Sequence, residues 1–217
     1  AVFFKADGAY RSKIGVPPGR SSGVAGSYDP ERGILTIIRT QLPAEADKLP
    51  YSLLNGDAEV MRHFPSTLSR VQSDEMVDRM AAGWEQRGFG LWAAERIDTH
   101  LLIGFVGLSV PGYEVDGVTP CVEVGWRLAK QHWGQGFAPE AARATLAYGF
   151  EHVDLPDDEI VSFTTTKNLN SQRVMQKVGM RLDPSREFDH PLTPGWHGQR
   201  HVLYCIDRAA WRAGVAR

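Results

Sequence analysis

Three groups of residues have the types and spacing to do chemistry. The stretch VGWRLAKQHWGQGFAPEAA, residues 124–142, leaves an apolar strand, turns through Gln131, Gly134 and Gly136 as Q-x-x-G-x-G, and continues as an alanine-rich helix. Glycines permit close backbone approach, and the free N–H groups at a helix start attract anions with help from the helix dipole. The turn reads either as ordinary strand-to-helix chemistry or as a cradle for a pyrophosphate. It has neither the Gly-Lys-Ser/Thr of a Walker loop nor the three-glycine spacing of a dinucleotide fingerprint. The second group, His190, His197 and His201, invites a metal, but Pro191, Pro194, Gly195 and Gly198 prevent the helix that would put two imidazoles on one face. A loop bordering a pocket is the expectation there. The third, Cys121 and Cys205, lacks CxxC spacing, and Cys121 inside a strand reads as a small buried hydrophobe.

The elements that must position these residues follow from periodicity. "ILTIIRT" (34–40) is rich in β-branched residues and predicts a strand. "AEADKLPYSLLNGDAEVMRHF" predicts a broken helix, interrupted by Pro50 and Gly56. Residues 69–88 place Val71, Met76, Val77, Met80 and Trp84 at a helical period, with Gly88 as the stop. Two strands, "FGLWAAERI" and "LLIGFVGLSV", form a hairpin across "DTH", and 120–128 make another strand. After the glycine turn and its helix come strand 159–166, helix 170–179, a strand near "MRLDPSREF" and a last strand, 200–206. An antiparallel run followed by strand-helix-strand-helix-strand describes an α+β domain with a mixed sheet.

Composition bounds the partners. The 217 residues are 42% hydrophobic and 23% charged, enough for one sizeable core. A net charge of −2 gives no basic field for nucleic acid or an anionic membrane surface. Two cysteines suit a reducing compartment, and without a long apolar run or a signal-peptide core the expectation is a soluble, cytoplasmic chain. Residues 15–33 concentrate Gly, Pro and Ser, so residues 1–32 read as an N-terminal arm or an added extension, and 33–217 as a single domain. Val2, Phe3, Phe4, Tyr10, Ile14 and Tyr28 are the anchors by which the arm is expected to dock on the domain or on a second subunit, making a homodimer.

Gln131, Gly134 and Gly136 resemble the acyl-CoA signature Q/R-x-x-G-x-G/A of the GNAT superfamily of N-acetyltransferases. Downstream, "NLNSQRVMQKVGM" is similar to the family's N-x-x-S-x-x-x-x-x-K-x-G-F/M segment through Asn168, Ser171, Lys177, Gly179 and Met180. "VEVGWRL" and "HWGQGFAPEA" look most like the branch that contains the ribosomal-protein N-terminal acetyltransferases, and the resemblance covers about 33–208. The opening "ILTIIRTQLPAEADKLP" departs from that branch's T-E-R-L-x-L-R.

The resemblance implies a mostly antiparallel sheet splayed at its centre, with acetyl-CoA in the split and no metal. The pantetheine arm would pair with the backbone of Val124, Trp126 and Leu128. Gln131, His132, Trp133, Gly134, Gln135, Gly136, Phe137 and Ala138 would form the pyrophosphate turn, and Asn168 would either bind cofactor or close a turn. Trp126 and Trp133 pack at the split, where Trp133 can also cover the cofactor. An amine, on a small molecule or a peptide N-terminus, would attack the thioester directly, which requires a neutral amine, a polarised carbonyl and a proton for the thiolate. The base would be Glu123, acting through water; the alternative is a sheet-face carboxylate paired with an Arg. Many GNAT enzymes use a Tyr on the helix after the fifth strand as acid; the matching hydroxyl here is Ser171, which is otherwise a helix cap or a cofactor contact. That missing Tyr keeps a second reading open, a non-catalytic acyl-CoA-binding or sensing module.

Overall fold

A computed structural model of the chain describes residues 24–29, 34–39, 47–96 and 99–215. Within them the sheet grows outward from the predicted hairpin, β3 (Leu91–Arg96) and β4 (Leu102–Ser109). On one side β3 pairs with β2 (Ile34–Arg39) and β2 with β1 (Val24–Asp29), all antiparallel. On the other, β4 pairs antiparallel with β5 (Glu123–Leu128), and β5 meets β6 (Glu159–Thr165) in the sheet's parallel contact. Beyond β6 lies β9 (Arg200–Asp207), whose far edge carries the two short strands β7 (Arg181–Leu182) and β8 (Phe188–Asp189).

Helices cover both faces. α3 (Phe137–His152) and α4 (Leu169–Lys177) bury Ala142, Leu146, Phe150 and Met175 against Leu108, Val124 and Ile160. Gly149 allows that close seat, since a Cβ there would stand 2.7 Å from Ile160 Cδ1 and 3.1 Å from Leu108 Cδ1. On the opposite face α1 (Lys48–Gly56) and α2 (Arg70–Arg87) bury Tyr51, Leu54, Val77 and Met80 against Phe105 of β4. α2 starts with a capping box: Ser69 Oγ accepts from the Gln72 N–H at 3.3 Å and the Gln72 side chain accepts from the Ser69 N–H at 2.9 Å. It stops at Gly88, left-handed at φ 73°, as expected of a glycine past the last turn. Val71, at the helical period, is instead exposed, so the buried stripe starts at Ser73.

Several elements differ from expectation. Pro50 does not break α1: it falls in the first turn, where the missing N–H has no intrahelical partner to lose. Residues 24–29, within the stretch expected to be an arm, pair along their length with β2, so the sheet begins there despite two glycines or serines in six residues. β5 starts at Glu123 rather than 120, since the turn at residues 115–119, closed by the Val118 and Thr119 N–H groups on the Val115 carbonyl, runs up to it. "MRLDPSREF" is divided into two two-residue strands by a 3-10 turn at Pro184–Arg186. A terminal helix, α5 (Arg208–Val215), follows β9 and stacks Trp211 on Phe150. The anchors expected in the arm, Val2, Phe3, Phe4, Tyr10 and Ile14, and the Tyr28 side chain, lie outside the described residues. Among the described residues, no helix is long and apolar enough to cross a membrane.

Candidate active site

The parallel contact between β5 and β6 consists of one register pair, Glu123 opposite Val161. The Val161 N–H donates to the Val122 carbonyl at 3.0 Å, and beyond this point the strands part. Backbone groups along a strand alternate sides. Since Val122 faces β6 while the Ala129 N–H reaches Ile103 next to β4, the backbone groups of Val124, Trp126 and Leu128 turn toward the split. Their side chains pack under α3, Val124 in the core and Trp126 against it. The Leu128 carbonyl is engaged, accepting from Trp133 Nε1 at 2.7 Å. The split opens into a cleft of about 720 Å³.

At the end of β5 the chain makes a single 3-10 turn, Lys130–His132, and reaches α3 through Gly134 (φ 73°) and Gly136 (φ 90°). Both are left-handed, a conformation that costs an L side chain about 1–2 kcal/mol. Nothing stands within 4 Å of where a Cβ on Gly134 would be, so the peptide faces open cleft that such a Cβ would fill. The N–H groups of His132 and Trp133 donate within the turn, to Ala129 and Lys130 carbonyls at 2.9 and 3.1 Å. The first turn of α3 leaves the N–H groups of Phe137 and Ala138, both on the cleft wall, without intrahelical partners, which suits an anion. Gln131 and Gln135 lie off the cleft wall, the Gln135 amide donating to the Gln131 carbonyl at 2.7 Å. His132, Trp133, Phe137 and Ala138 line it. A pyrophosphate fits this turn by donor geometry and by the space before Gly134.

Glu123 sits where the split begins, on the face away from α3. Its Oε2 accepts from Ser109 Oγ at 3.4 Å, and no cation pairs with it among the described residues. Burial pushes its carboxyl up to about 8, the Ser109 hydrogen bond pulling slightly the other way. The expected alternative, a carboxylate held by an Arg, is absent among the described residues. Asn168 and Ser171 also reach the cleft; of its two expected readings Asn168 takes the local one, capping α4 with Oδ1 accepting from the Ser171 N–H at 3.3 Å, so Ser171 is not the cap. The Asn168 amide donates to Thr164 Oγ1 and to Ser171 Oγ, at 2.9 and 3.0 Å. Asn168 is thus occupied as cap and brace, while the Ser171 hydroxyl, accepting one bond, keeps its own proton to give.

Among the described residues no group of three or more His, Cys, Asp and Glu is placed to hold a metal ion. His190 and His201 lie 5.0 Å apart in an aromatic cluster with Phe188, and burial lowers both imidazoles below their ordinary value. His197 packs on Trp196 instead. Cys121 and Cys205 are buried and unpaired. Sequence reasoning missed Ser109, Tyr113 and Arg127. Tyr113 of the β4–β5 loop lies within electrostatic reach of Glu123, and burial and then that charge push its phenol up. Arg127, four residues along β5 from Glu123, was visible only as one more charge in a strand.

A family model described as an acetyltransferase (GNAT) domain matches residues 36–181, the span from β2 to β7 that carries the split and the glycine turn. The chain belongs to the GNAT acetyltransferase family. A second model, a family of unknown function, matches residues 1–59. The uncharacterized N-acetyltransferase YoaA of Bacillus subtilis is 30% identical over 149 residues, 68% of this chain and 80% of that protein. The FsC-acetyl coenzyme A-N(2)-transacetylase of Aspergillus fumigatus is 35% identical over 135 residues, 57% of this chain but 52% of that protein. Among solved structures, the spermidine N-acetyltransferase of Vibrio cholerae in complex with CoA and spermine is 17% identical, covers 79% of this chain and 96% of that one, and superposes with a TM-score of 0.61. The GNAT fold, mixed α+β with an open, mostly antiparallel sheet, is the fold of this chain, and acetyl transfer from acetyl-CoA is its reaction class.

Proposed function

We propose that this GNAT protein transfers the acetyl group of acetyl-CoA to a primary amine by direct attack, with Glu123 as general base. The observation that carries the reading is the carboxyl placed where β5 and β6 part, raised to about 8 and unpaired by any cation among the described residues. Such a group takes a proton near neutral pH, as a general base must. Acetyl-CoA supplies an activated thioester carbonyl with a thiolate leaving group. The Val124 N–H, turned to the split, donates to the reacting carbonyl oxygen and so stabilises its developing charge. The backbone of Trp126 and Leu128 orients the pantetheine arm in strand fashion, and N–H groups of Gly134 to Ala138 hold the pyrophosphate. Glu123 accepts the ammonium proton through water, and Ser171 Oγ donates toward the departing sulfur.

The acceptor side is formed by the α1–α2 loop, Phe105 and the face of β5 carrying Glu123. Acceptors within the proposal are a peptide N-terminus, an amino acid or a small metabolite, and the β5 and α3 sequences support the branch of the ribosomal-protein N-terminal enzymes. The names of YoaA and the Aspergillus relative, N-acetyltransferase and N(2)-transacetylase, support nitrogen as the acceptor atom. We further hold that the protein acts in the cytoplasm, that residues 1–32 are an arm joined to the domain through β1, and that the arm favours a dimer. The test is incubation with acetyl-CoA and an amine panel, following free thiol release. Amine-dependent thiol release is the expected result; CoA binding without turnover of any amine would return the chain to the class of non-catalytic acyl-CoA sensors.

A further inference from the structure

Arg127 has an environment that its own chain does not explain. Its guanidinium lies between two aromatic rings, 4.2 Å from the Phe64 centroid and 5.2 Å from that of Phe105. One nitrogen, Nη1, donates to Asn55 Oδ1 at 2.6 Å, and Asn55 is itself fixed by donating to Ser73 Oγ at 2.9 Å. The Nε is fully buried with no hydrogen-bond partner, and no carboxylate lies within ion-pair distance of the guanidinium among the described residues. The side chain lines the same cleft as Glu123, on the same strand and the same face. Buried arginine normally comes with a carboxylate, because an unpaired desolvated charge is costly. Two phenyl faces and one amide oxygen compensate only part of that cost.

We propose that Arg127 anchors a carboxylate on the acceptor, so that the amine acetylated here belongs to a molecule carrying a remote carboxylate. The inference rests on the acetyltransferase reading above and names the acceptor class within it. Fork geometry suits a carboxylate, which takes two guanidinium N–H groups in parallel. The local charge fits a single negative one. Arg62 is turned to Trp133, 5.4 Å from its ring, and to Glu59 at 3.9 Å. His63, lowered below its ordinary value by burial and by Arg62, adds no second positive charge at neutral pH. Four residues of strand separate the Cα atoms of Glu123 and Arg127 by about 13 Å. Amine and carboxylate must therefore stand several bonds apart, as with the side-chain carboxylate of an acidic amino acid or of an acidic residue near a peptide N-terminus. A polyamine or an aminoglycoside offers Arg127 nothing.

The probes are a length series of ω-amino acids with about three to nine methylenes, the longest approaching the strand distance, each matched with its ω-aminoamide. Wild-type enzyme should use the best carboxylate at least about tenfold better in kcat/KM than its amide, through KM, the scale of one charged hydrogen-bonded contact. Arg127→Met keeps the stem between the two rings and removes the fork. It should raise KM for the carboxylate, leave the amide and CoA affinity unchanged, and abolish the preference; Arg127→Lys should keep part of it. Equal use of acid and amide by the wild type, or the same preference surviving in folded Arg127→Met, overturns the anchor while leaving the acetyltransferase reading intact. If no amine turns over, calorimetric titration of 6-aminohexanoate into the CoA complex decides separately. Binding that Arg127→Met abolishes sustains the anchor although the reaction is lost; no binding to wild type refutes it.

Discussion

Replacing Glu123 with Gln separates chemistry from stability, because the burial that tunes this carboxyl acts on both. With its midpoint pushed up to about 8, the carboxylate fraction is about one tenth at pH 7 and about nine tenths at pH 9. If Glu123 is the base, kcat/KM should rise roughly tenfold across that interval, with its own limb near 8. The acceptor's ammonium contributes a limb too, but only the limb of Glu123 disappears in Glu123→Gln. The substitution should cost about 10²-fold in kcat, the usual scale for losing a general base, with CoA affinity nearly intact. Ser109→Ala gives the complementary shift. Losing the one hydrogen bond that favours the carboxylate moves the limb upward, so activity falls at pH 7 and recovers at higher pH.

Stability runs in the opposite direction. Between about 4.5, the ordinary value, and about 8, the folded state holds a proton that the unfolded chain has released. Stability linked to Glu123 is therefore fully present below 4.5 and is lost as pH rises through about 8. At ~1.36 kcal/mol for each pH unit the upper bound is ~5 kcal/mol, and partial exposure to cleft water reduces it to the order of 1–3 kcal/mol. Glu123→Gln should accordingly melt higher than wild type at pH 8.5 and close to it at pH 4.5, while being nearly inactive at both. Thermal unfolding and thiol-release kinetics on the same preparations check this. A retained limb near 8 in Glu123→Gln, or unchanged kcat, would refute the base; a variant that is inactive and also less stable at pH 8.5 would show a structural carboxyl instead.

Gly134→Val should remove measurable CoA binding, since its side chain enters the space before the peptide, while lowering stability by only about 1–2 kcal/mol for the left-handed backbone; calorimetry with CoA on folded protein checks it. Ser171→Ala should lower kcat by about 10²-fold, the weak end of acid catalysis, without melting α4, whose cap is Asn168. By contrast, Asn168→Ala should cost about 1 kcal/mol in unfolding free energy, the scale of an N-cap. Gly149→Val should destabilise by about 1–3 kcal/mol through overpacking on Ile160 and Leu108, read as a lowered urea midpoint.

What was legible in the sequence was local. Ser69 and Gln72 announce the start of α2, Gly88 its end, and the apolar runs on either side of the DTH turn mark β3 and β4, because each signal is complete within a few residues. The glycine turn was legible for the same reason. β1 was not: its residues, VAGSYD, have little strand character, and the strand forms by pairing with the β-branched β2. α5 was missed because its eight residues follow β9 without a loop to announce them. Ser171 is not the cap because Asn168, three residues earlier, has the non-helical backbone and takes the Ser171 N–H, and the spacing of two cap-prone residues does not say which of them starts the helix.

The donor and acceptor sides of the cleft differ in the same way. The donor side is nearly all backbone from one continuous stretch, 122–138, so a contiguous motif can encode it. The acceptor side joins Asn55 and Phe64 to Arg127, and Ser109 to Glu123, contacts that cross up to 72 positions of chain. No local pattern marks such partners. Arg127 in isolation is a charged residue in a strand, where it would be expected to face water. Its meaning comes from α1 and the following loop closing over it, and from the carboxylate they do not supply. A change in that loop, such as Phe64→Ala, should therefore alter which amine is accepted while leaving the 131–138 turn and its CoA affinity untouched. Acceptor KM values across the acid and amide pairs, with CoA affinity as the control, check this: a loss of CoA binding in folded Phe64→Ala would show that the loop belongs to the donor side after all.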